Sequence, residues 1–283
     1  MNKFQGVDYY NVESLQSTDE IMIRDTVREF VSEEIIPIIE KYNRESSFPI
    51  QLVPKMAELG LFGSTFPQKY GCAELNYVSY GLIAQELERG DSGIRSFVSV
   101  QSSLVMYPIF KFGSESQKDK WLPQLANGTK IGCFGLTEPD YGSNPGGMVT
   151  KAEKVDGGFR LNGAKMWITN GTISDVAVVW AKLDGVVRGF LVEKGMKGFN
   201  APEMKGKHSL RASVTSELIF DNVFLPEENI LPKTENLKNA LMCLNQARYG
   251  IAWGVVGVMI ACYDSALNYS KSRRQFSKPI RSE

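Results

Sequence analysis

A run of roughly forty residues near the C-terminus, NLKNALMCLNQARYGIAWGVVGVMIACYDSALNYSKSRRQF, constrains the fold more than any other feature. It reads as one helix, apolar on most faces in its middle, and such a helix must be buried by other helices or by another chain. The sequence then ends at SKPIRSE. Cover is therefore expected from a further segment or a second polypeptide, and left alone the helix is expected to expose a patch that favours association. Its most apolar stretch, Ile251 to Cys262, is about twelve residues long, is interrupted by Gly254 and Gly257, and is too short to cross a bilayer.

Upstream, the hydrophobic period changes twice. Residues 1–130 read as helices. Ser17 and Glu20 form a capping box before an apolar stripe of Ile23, Val27, Phe30 and Val31, which Pro37 perturbs. PIQLVPKMAELG is a short helix stopped by Gly60, and NYVSYGLIAQELER is another, with Leu82, Ile83 and Leu87 on one side. Ser114 and Gln117 open a further helix that runs through Trp121 and Leu125, with Gly128 beyond its end.

Over residues 131–232 the period is two. FRLNGAKMWITN carries an Asn162-Gly163 turn between strands, Asp184-Gly185 repeats the device, and SVTSELIFDNVFLP adds further strand. The chain is thus an α+β protein in three parts. An N-terminal helical domain (1–130) precedes an antiparallel β-barrel-like domain (131–232), and residues 233–283 begin a C-terminal helical bundle.

Composition narrows the function. Lys+Arg and Asp+Glu are both 32 in 283 residues, so no basic field invites nucleic acid or an anionic membrane. Four scattered cysteines (Cys72, Cys133, Cys243, Cys262) and a single His208 argue against a metal site and a disulfide framework. They also nearly exclude histidine-dependent hydrolases. His208 reads as a loop or core residue. MNKFQGVDYYNVESLQ resembles neither a signal nor a transit peptide, and a cytoplasmic location is expected.

Residues 132–147, GCFGLTEPDYGSNPGG, concentrate glycine, proline and small polar residues after an apolar run. This is either a long surface turn or a loop whose backbone N–H groups approach an anionic ligand.

GCFGLTEPDYGSNP opening the β segment, with WITN some thirty residues later and helices on either side, resembles the acyl-CoA dehydrogenase family of flavoenzymes. The resemblance spans essentially the whole chain. ELERGDSGIRSFVSVQSSLVMYPI, RGFLVEKGMKGF, GKHSLRAS and CLNQARYGIAWG are similar to its glutaryl-CoA branch. The resemblance implies that FAD lies along Phe134, Gly135, Leu136, Thr137, Gly142 and Ser143. Trp167, Ile168 and Thr169 would form the second flavin segment. It further implies that Arg273 reaches the flavin diphosphate of a neighbouring subunit. The acyl-CoA would meet Ser143, Leu244, Asn245 and Arg248, with Tyr249 nearby. Arg95 and Ser96 align with the pair that holds a distal carboxylate, with Glu88 orienting the arginine; a guanidinium suits that task because its planar fork gives bidentate, charge-assisted bonds.

The family reaction removes an α-proton with a glutamate while a β-hydrogen leaves as hydride to the flavin; the glutaryl branch then loses CO2. By resemblance that glutamate lies in a loop beyond residue 283, or, in other relatives, at the position of Ala247, which takes no proton. No catalytic residue is therefore expected within these residues. The implied partners are glutaryl-CoA or a related acyl-CoA, an electron-transfer flavoprotein, and further copies of the chain in a tetramer. Alternatives are another acyl-CoA dehydrogenase, short-chain or non-decarboxylating, and a non-catalytic flavin- or acyl-CoA-binding fragment.

Overall fold

The computed structural model describes Phe4 and residues 6–281. Its first helix, α1 (Thr18–Phe30), opens on the expected capping box, with Ser17 N donating to Glu20 and Glu20 N to Ser17 Oγ. A π-helical turn, Val31–Ile35, joins it to α2 (Ile36–Glu45). Pro37 has no N–H for the preceding turn, which widens instead of breaking. Then follow α3 (Leu52–Glu58), α4 (Tyr77–Gly90), α5 (Ser92–Ser99), α6 (Tyr107–Phe112) and α7 (Glu115–Ala126). A second π-helical stretch, Val100–Met106, lies between α5 and α6.

Nine strands follow the helical layer among the described residues: β1 (Gly132–Gly135), β2 (Lys151–Val155), β3 (Gly158–Thr169), β4 (Val176–Leu183), β5 (Val186–Glu193), β6 (Phe199–Asn200) and β7 (Thr215–Pro226), with β8 (Arg274–Gln275) and β9 (Lys278–Pro279) as a small terminal hairpin. Strands β1–β7 form one sheet in the order β1-β4-β2-β3-β7-β6, with β5 on the other edge of β4. Most pairs are antiparallel, as the hairpin signals predict, but β1 and β2 both run parallel to β4. That pairing joins segments distant in sequence, so no local turn signal announces it.

Asp184-Gly185 is the β4–β5 turn, with φ of 51° and 79° at its two residues. The Asn162-Gly163 turn is corrected. Strand β3 passes straight through both residues, and the β2–β3 turn falls at Asp156 and Gly157 instead. Gly163 sits at an irregularity in the β3–β7 ladder with φ +139°, where a Cβ would come within 2.5 Å of Thr150 Oγ1. The glycine marks a bulge and a close approach.

Strand β4 shows how the layers join. Val176, Val178 and Trp180 face the core shared with the helices, while Ala177, Val179 and Ala181 face the second core inside the curled sheet.

Helix α8 (Leu237–Ser272) is the long apolar helix. One face carries Ala240, Cys243, Ala247, Gly250, Gly254 and Gly257, and these are its buried residues. This small-residue seam lets the backbone lie close on α4. The opposite side leaves Leu241, Ile251, Val255 and Met259 exposed. Over its 36 residues the helix contains an 18-residue window of mean hydropathy 1.5, so by length and composition it is long and apolar enough to cross a membrane. The reading of Ile251 to Cys262 as too short to span is corrected by that longer window; the two glycines that interrupt the stretch, Gly254 and Gly257, are docked on α4 in the structure.

Candidate active site

A cleft of about 380 Å³ opens where four segments meet. Phe134, Leu136, Thr137, Gly142 and Ser143 come from β1 and the loop after it, and Trp167, Ile168 and Thr169 from the end of β3. Leu241, Leu244 and Arg248 come from the start of α8, and Val100 and Leu104 from the π-helical stretch. Widening a helix by one residue re-aims its side chains, a device that recurs at functional sites. Val100 and Leu104 give the cleft an apolar end that the sequence reading did not anticipate.

The loop after β1 is held from below by a buried ion pair that sequence reasoning missed. Lys165 is fully buried on β3; its Nζ donates to Glu138 Oε1 at 2.8 Å and to the Leu136 carbonyl at 3.1 Å. Glu138 also accepts from Val149 N at 2.7 Å and Thr150 N at 3.0 Å. Burial pushes the Lys165 ammonium down to about 8, against the pull of the carboxylate. Burial also opposes the charge on Glu138, but the bonds from Lys165, Thr150 and Val149 together hold its carboxyl below the usual value. At Gly147 a Cβ would stand 2.3 Å from the Tyr141 ring, so any side chain there must displace that ring. At Gly142 a Cβ would meet nothing within 4 Å, which leaves open space beside the backbone.

Met166 N donates to the Thr137 carbonyl at 2.9 Å, and between Lys165 and Ile168 the β3–β7 register shifts. In that bulge Trp167 takes φ +64°, unusual for a bulky residue, and the residue is 61% exposed at the cleft mouth. An exposed indole on a strained backbone is a surface ready to be covered by a flat ligand.

Other predicted residues lie elsewhere. Gly135 is inside β1, packed against Leu218 and Lys165, and does not line the cleft. Arg95 is buried, and its guanidinium is bonded to both carboxylate oxygens of buried Glu88. The pair is not the solvated surface contact it could have been. Gly254 covers it so tightly that a Cβ there would stand 2.3 Å from Glu88 Oε2. Neither Arg95 nor Ser96 lines the cleft. Asn245 is exposed and accepts from Arg248 Nη1 at 2.8 Å, steadying the arginine at the rim. Arg273 caps the far end of α8, exposed, roughly 37 Å along the axis from Arg248 at 1.5 Å per residue. Within one chain it does not reach this cleft. Tyr249 stacks on Tyr80 with ring centroids 6.1 Å apart.

Beyond Trp167 a second cavity of about 540 Å³ is lined by Trp167, Thr169, Lys205, Lys207 and His208. Lys207 Nζ is spent on the Leu210 and Ser213 carbonyls and Thr215 Oγ1. His208 is an exposed loop residue.

Comparison with known proteins decides the family. The sequence patterns of the acyl-CoA dehydrogenase N-terminal, middle and C-terminal domains match residues 17–129, 133–223 and 237–283. The chain belongs to the acyl-CoA dehydrogenase family. A glutaryl-CoA dehydrogenase from Mycobacterium smegmatis, solved in complex with FADH2, superposes with a TM-score of 0.94 at 50% identity, covering 96% of this chain and 70% of that one. A structure described as the electron transferring flavoprotein of Acidaminococcus fermentans gives 0.90 at 36% identity, covering 97% and 72%. The mitochondrial isovaleryl-CoA dehydrogenase of Arabidopsis thaliana is 37% identical over 269 residues, 92% of this chain and 66% of its own length. This acyl-CoA dehydrogenase chain thus spans about two thirds of the length of such relatives.

Proposed function

We propose that the cleft binds FAD with an acyl-CoA thioester beside the ring, and that these residues form the front portion of a glutaryl-type acyl-CoA dehydrogenase. One observation carries the first half: two sequence-distant motifs, FGLT…GS and WIT, meet in one cleft faced by α8. Hydroxyls of Thr137, Ser143 and Thr169 and the exposed Trp167 ring suit a flat, heteroatom-edged ligand with a polar tail. FAD, when bound, supplies the two-electron acceptor for oxidation beside a thioester carbonyl. The chain's own task is to hold that ligand, exclude water at the Val100 and Leu104 end, and place the acyl group.

The glutaryl half rests on the buried Arg95–Glu88 pair and the 50% identity to the M. smegmatis enzyme. Glu88 fixes the guanidinium and neutralises it in a dry setting; the pair lies behind the cleft lining, beneath Gly254, and this reading assigns the guanidinium's remaining N–H donors to a distal carboxylate that extends past that lining. The isovaleryl relative supports a second reading, an enzyme for a shorter or branched acyl chain. Ala247 is buried in the α8 seam and offers no base, so turnover requires a carboxylate from outside these residues. An electron-transferring flavoprotein as redox partner, and a homo-oligomer in which Arg273 serves a neighbour's flavin, belong to the same proposal.

The first test is an anaerobic titration of the purified chain, reconstituted with FAD, against glutaryl-CoA. Oxidised flavin that shifts its spectrum without bleaching is the expected result, reporting binding without turnover. Bleaching with crotonyl-CoA formed would overturn the assignment of the base outside this chain. An Arg95→Leu variant is expected to bind glutaryl-CoA about ten- to a hundredfold more weakly, from one lost charge-assisted contact. Butyryl-CoA binding should hold; equal loss on both ligands would leave the glutaryl reading without support.

A further inference from the structure

The buried Lys165–Glu138 pair has no part in the reaction outlined above, yet it touches the backbone that edges the cleft. Lys165 Nζ holds the Leu136 carbonyl at 3.1 Å. A trans peptide is planar, with its C=O and the following N–H pointing in opposite directions. A Leu136 carbonyl turned onto Lys165 therefore turns the Thr137 N–H to the other side, toward the cleft that Leu136 and Thr137 line and Lys165 does not. Among the described residues no acceptor of the chain meets that N–H. The next peptide is pinned as well, because the Thr137 carbonyl accepts from Met166 N at 2.9 Å.

We propose that Lys165, braced by Glu138, is a positioning residue that aims the Thr137 amide N–H into the cleft as a fixed donor to an acceptor atom on the flavin ring edge. This rests on the reading of the cleft as a flavin site. The arrangement has a physical logic. A fully buried ammonium is costly unless it is paired and fully hydrogen-bonded, and here both the carboxylate and the carbonyl serve it. Glu138 in turn ties the far end of the loop, Val149 and Thr150, to the same lysine. One side chain thus sets the bulge that carries Trp167 and the amide that faces it. A neutral apolar side chain would fill the volume but leave the Leu136 carbonyl free to rotate.

The test uses the whole chain with FAD, comparing wild type, Lys165→Met and Glu138→Gln. Lys165→Met is expected to weaken FAD binding at least tenfold and to shift the absorbance maxima of whatever flavin it retains. Its amide hydrogen exchange, measured without flavin, should rise across 134–150 while β4 and β5 keep their protection. Glu138→Gln keeps an acceptor for Val149 and Thr150 and leaves Lys165 free to hold Leu136, so smaller shifts of the same sign are expected. Should Lys165→Met fail to fold, Glu138→Gln decides by the same readouts. Variants with wild-type FAD affinity, flavin spectrum and loop exchange would overturn the positioning role alone. A wild-type chain that binds no FAD would overturn the flavin reading and the ligand named here with it.

Discussion

Gly257→Ala is expected to destabilise the protein, although the substitution improves the helix that carries it. Alanine in a helix interior gains about 0.5–1 kcal/mol over glycine. Against that, a Cβ at Gly257 would lie 1.9 Å from the Gln85 carbonyl oxygen and 3.0 Å from Arg89 N, both backbone atoms of α4. Backbone cannot swing aside as a flexible side chain can, so α8 must lift from α4 along the whole seam. Overpacking typically costs about 1–3 kcal/mol and this contact belongs at the upper end or beyond, so the clash wins. Thermal unfolding should show a midpoint several degrees below wild type, with Gly142→Ala, whose Cβ meets nothing, unchanged beside it. A Gly257→Ala midpoint at or above wild type would mean that α8 is not pressed onto α4 in solution.

The second large effect is expected at Gln101, a fully buried residue of the π-helical stretch. Its Nε2 donates to the Leu125 and Lys130 carbonyls at 3.0 and 2.8 Å, and its Oε1 accepts from Gly132 N at 2.9 Å. One amide thus fastens the end of α7 and the first residue of β1 to the wall of the cleft. Gln101→Leu keeps the volume and removes the bonds, leaving the Gly132 N–H and the Lys130 carbonyl unsatisfied, while the Leu125 carbonyl keeps the Gly128 N–H at 3.4 Å. At about 1–3 kcal/mol for each stranded buried group, a loss of roughly 3 kcal/mol or more is expected. Urea unfolding should shift to a lower midpoint, and FAD should bind more weakly because β1 sets the cleft floor. Unfolding midpoint and FAD affinity both equal to wild type would show that β1 is held by its strand pairing with β4 alone.

Much of this architecture is legible in local signals. Capping boxes at Ser17 and Ser114 and the Asp184-Gly185 turn act within a few residues, and the structure places them as expected. The resemblance to the flavoenzyme family located the loop and the WIT segment that line the cleft. Harder to read was anything settled by a distant partner. Asn162-Gly163 carries a strong turn signal, but Thr150 packs against Gly163 and the strand continues. Lys165 looks like an ordinary solvent-facing lysine until Glu138, 27 positions away, makes its burial affordable. The parallel pairing of β1 with β4 has the same character. A charged residue's burial depends on what the remainder of the fold brings to it, and no window of neighbouring residues contains that information.

The α4–α8 seam also sets a timetable. Helix α4 ends at Gly90, and the glycines that close over it lie at positions 250–257. At synthesis rates of about 5–20 residues per second, the ribosome needs roughly 8–35 seconds to bridge that distance. Throughout that interval the Arg95–Glu88 pair lies open to water, and the face of α4 that the glycine seam covers stands bare. The α4 surface therefore waits for α8 to arrive. A nascent chain stalled after β7 should be sensitive to protease around α4, and the released chain should not.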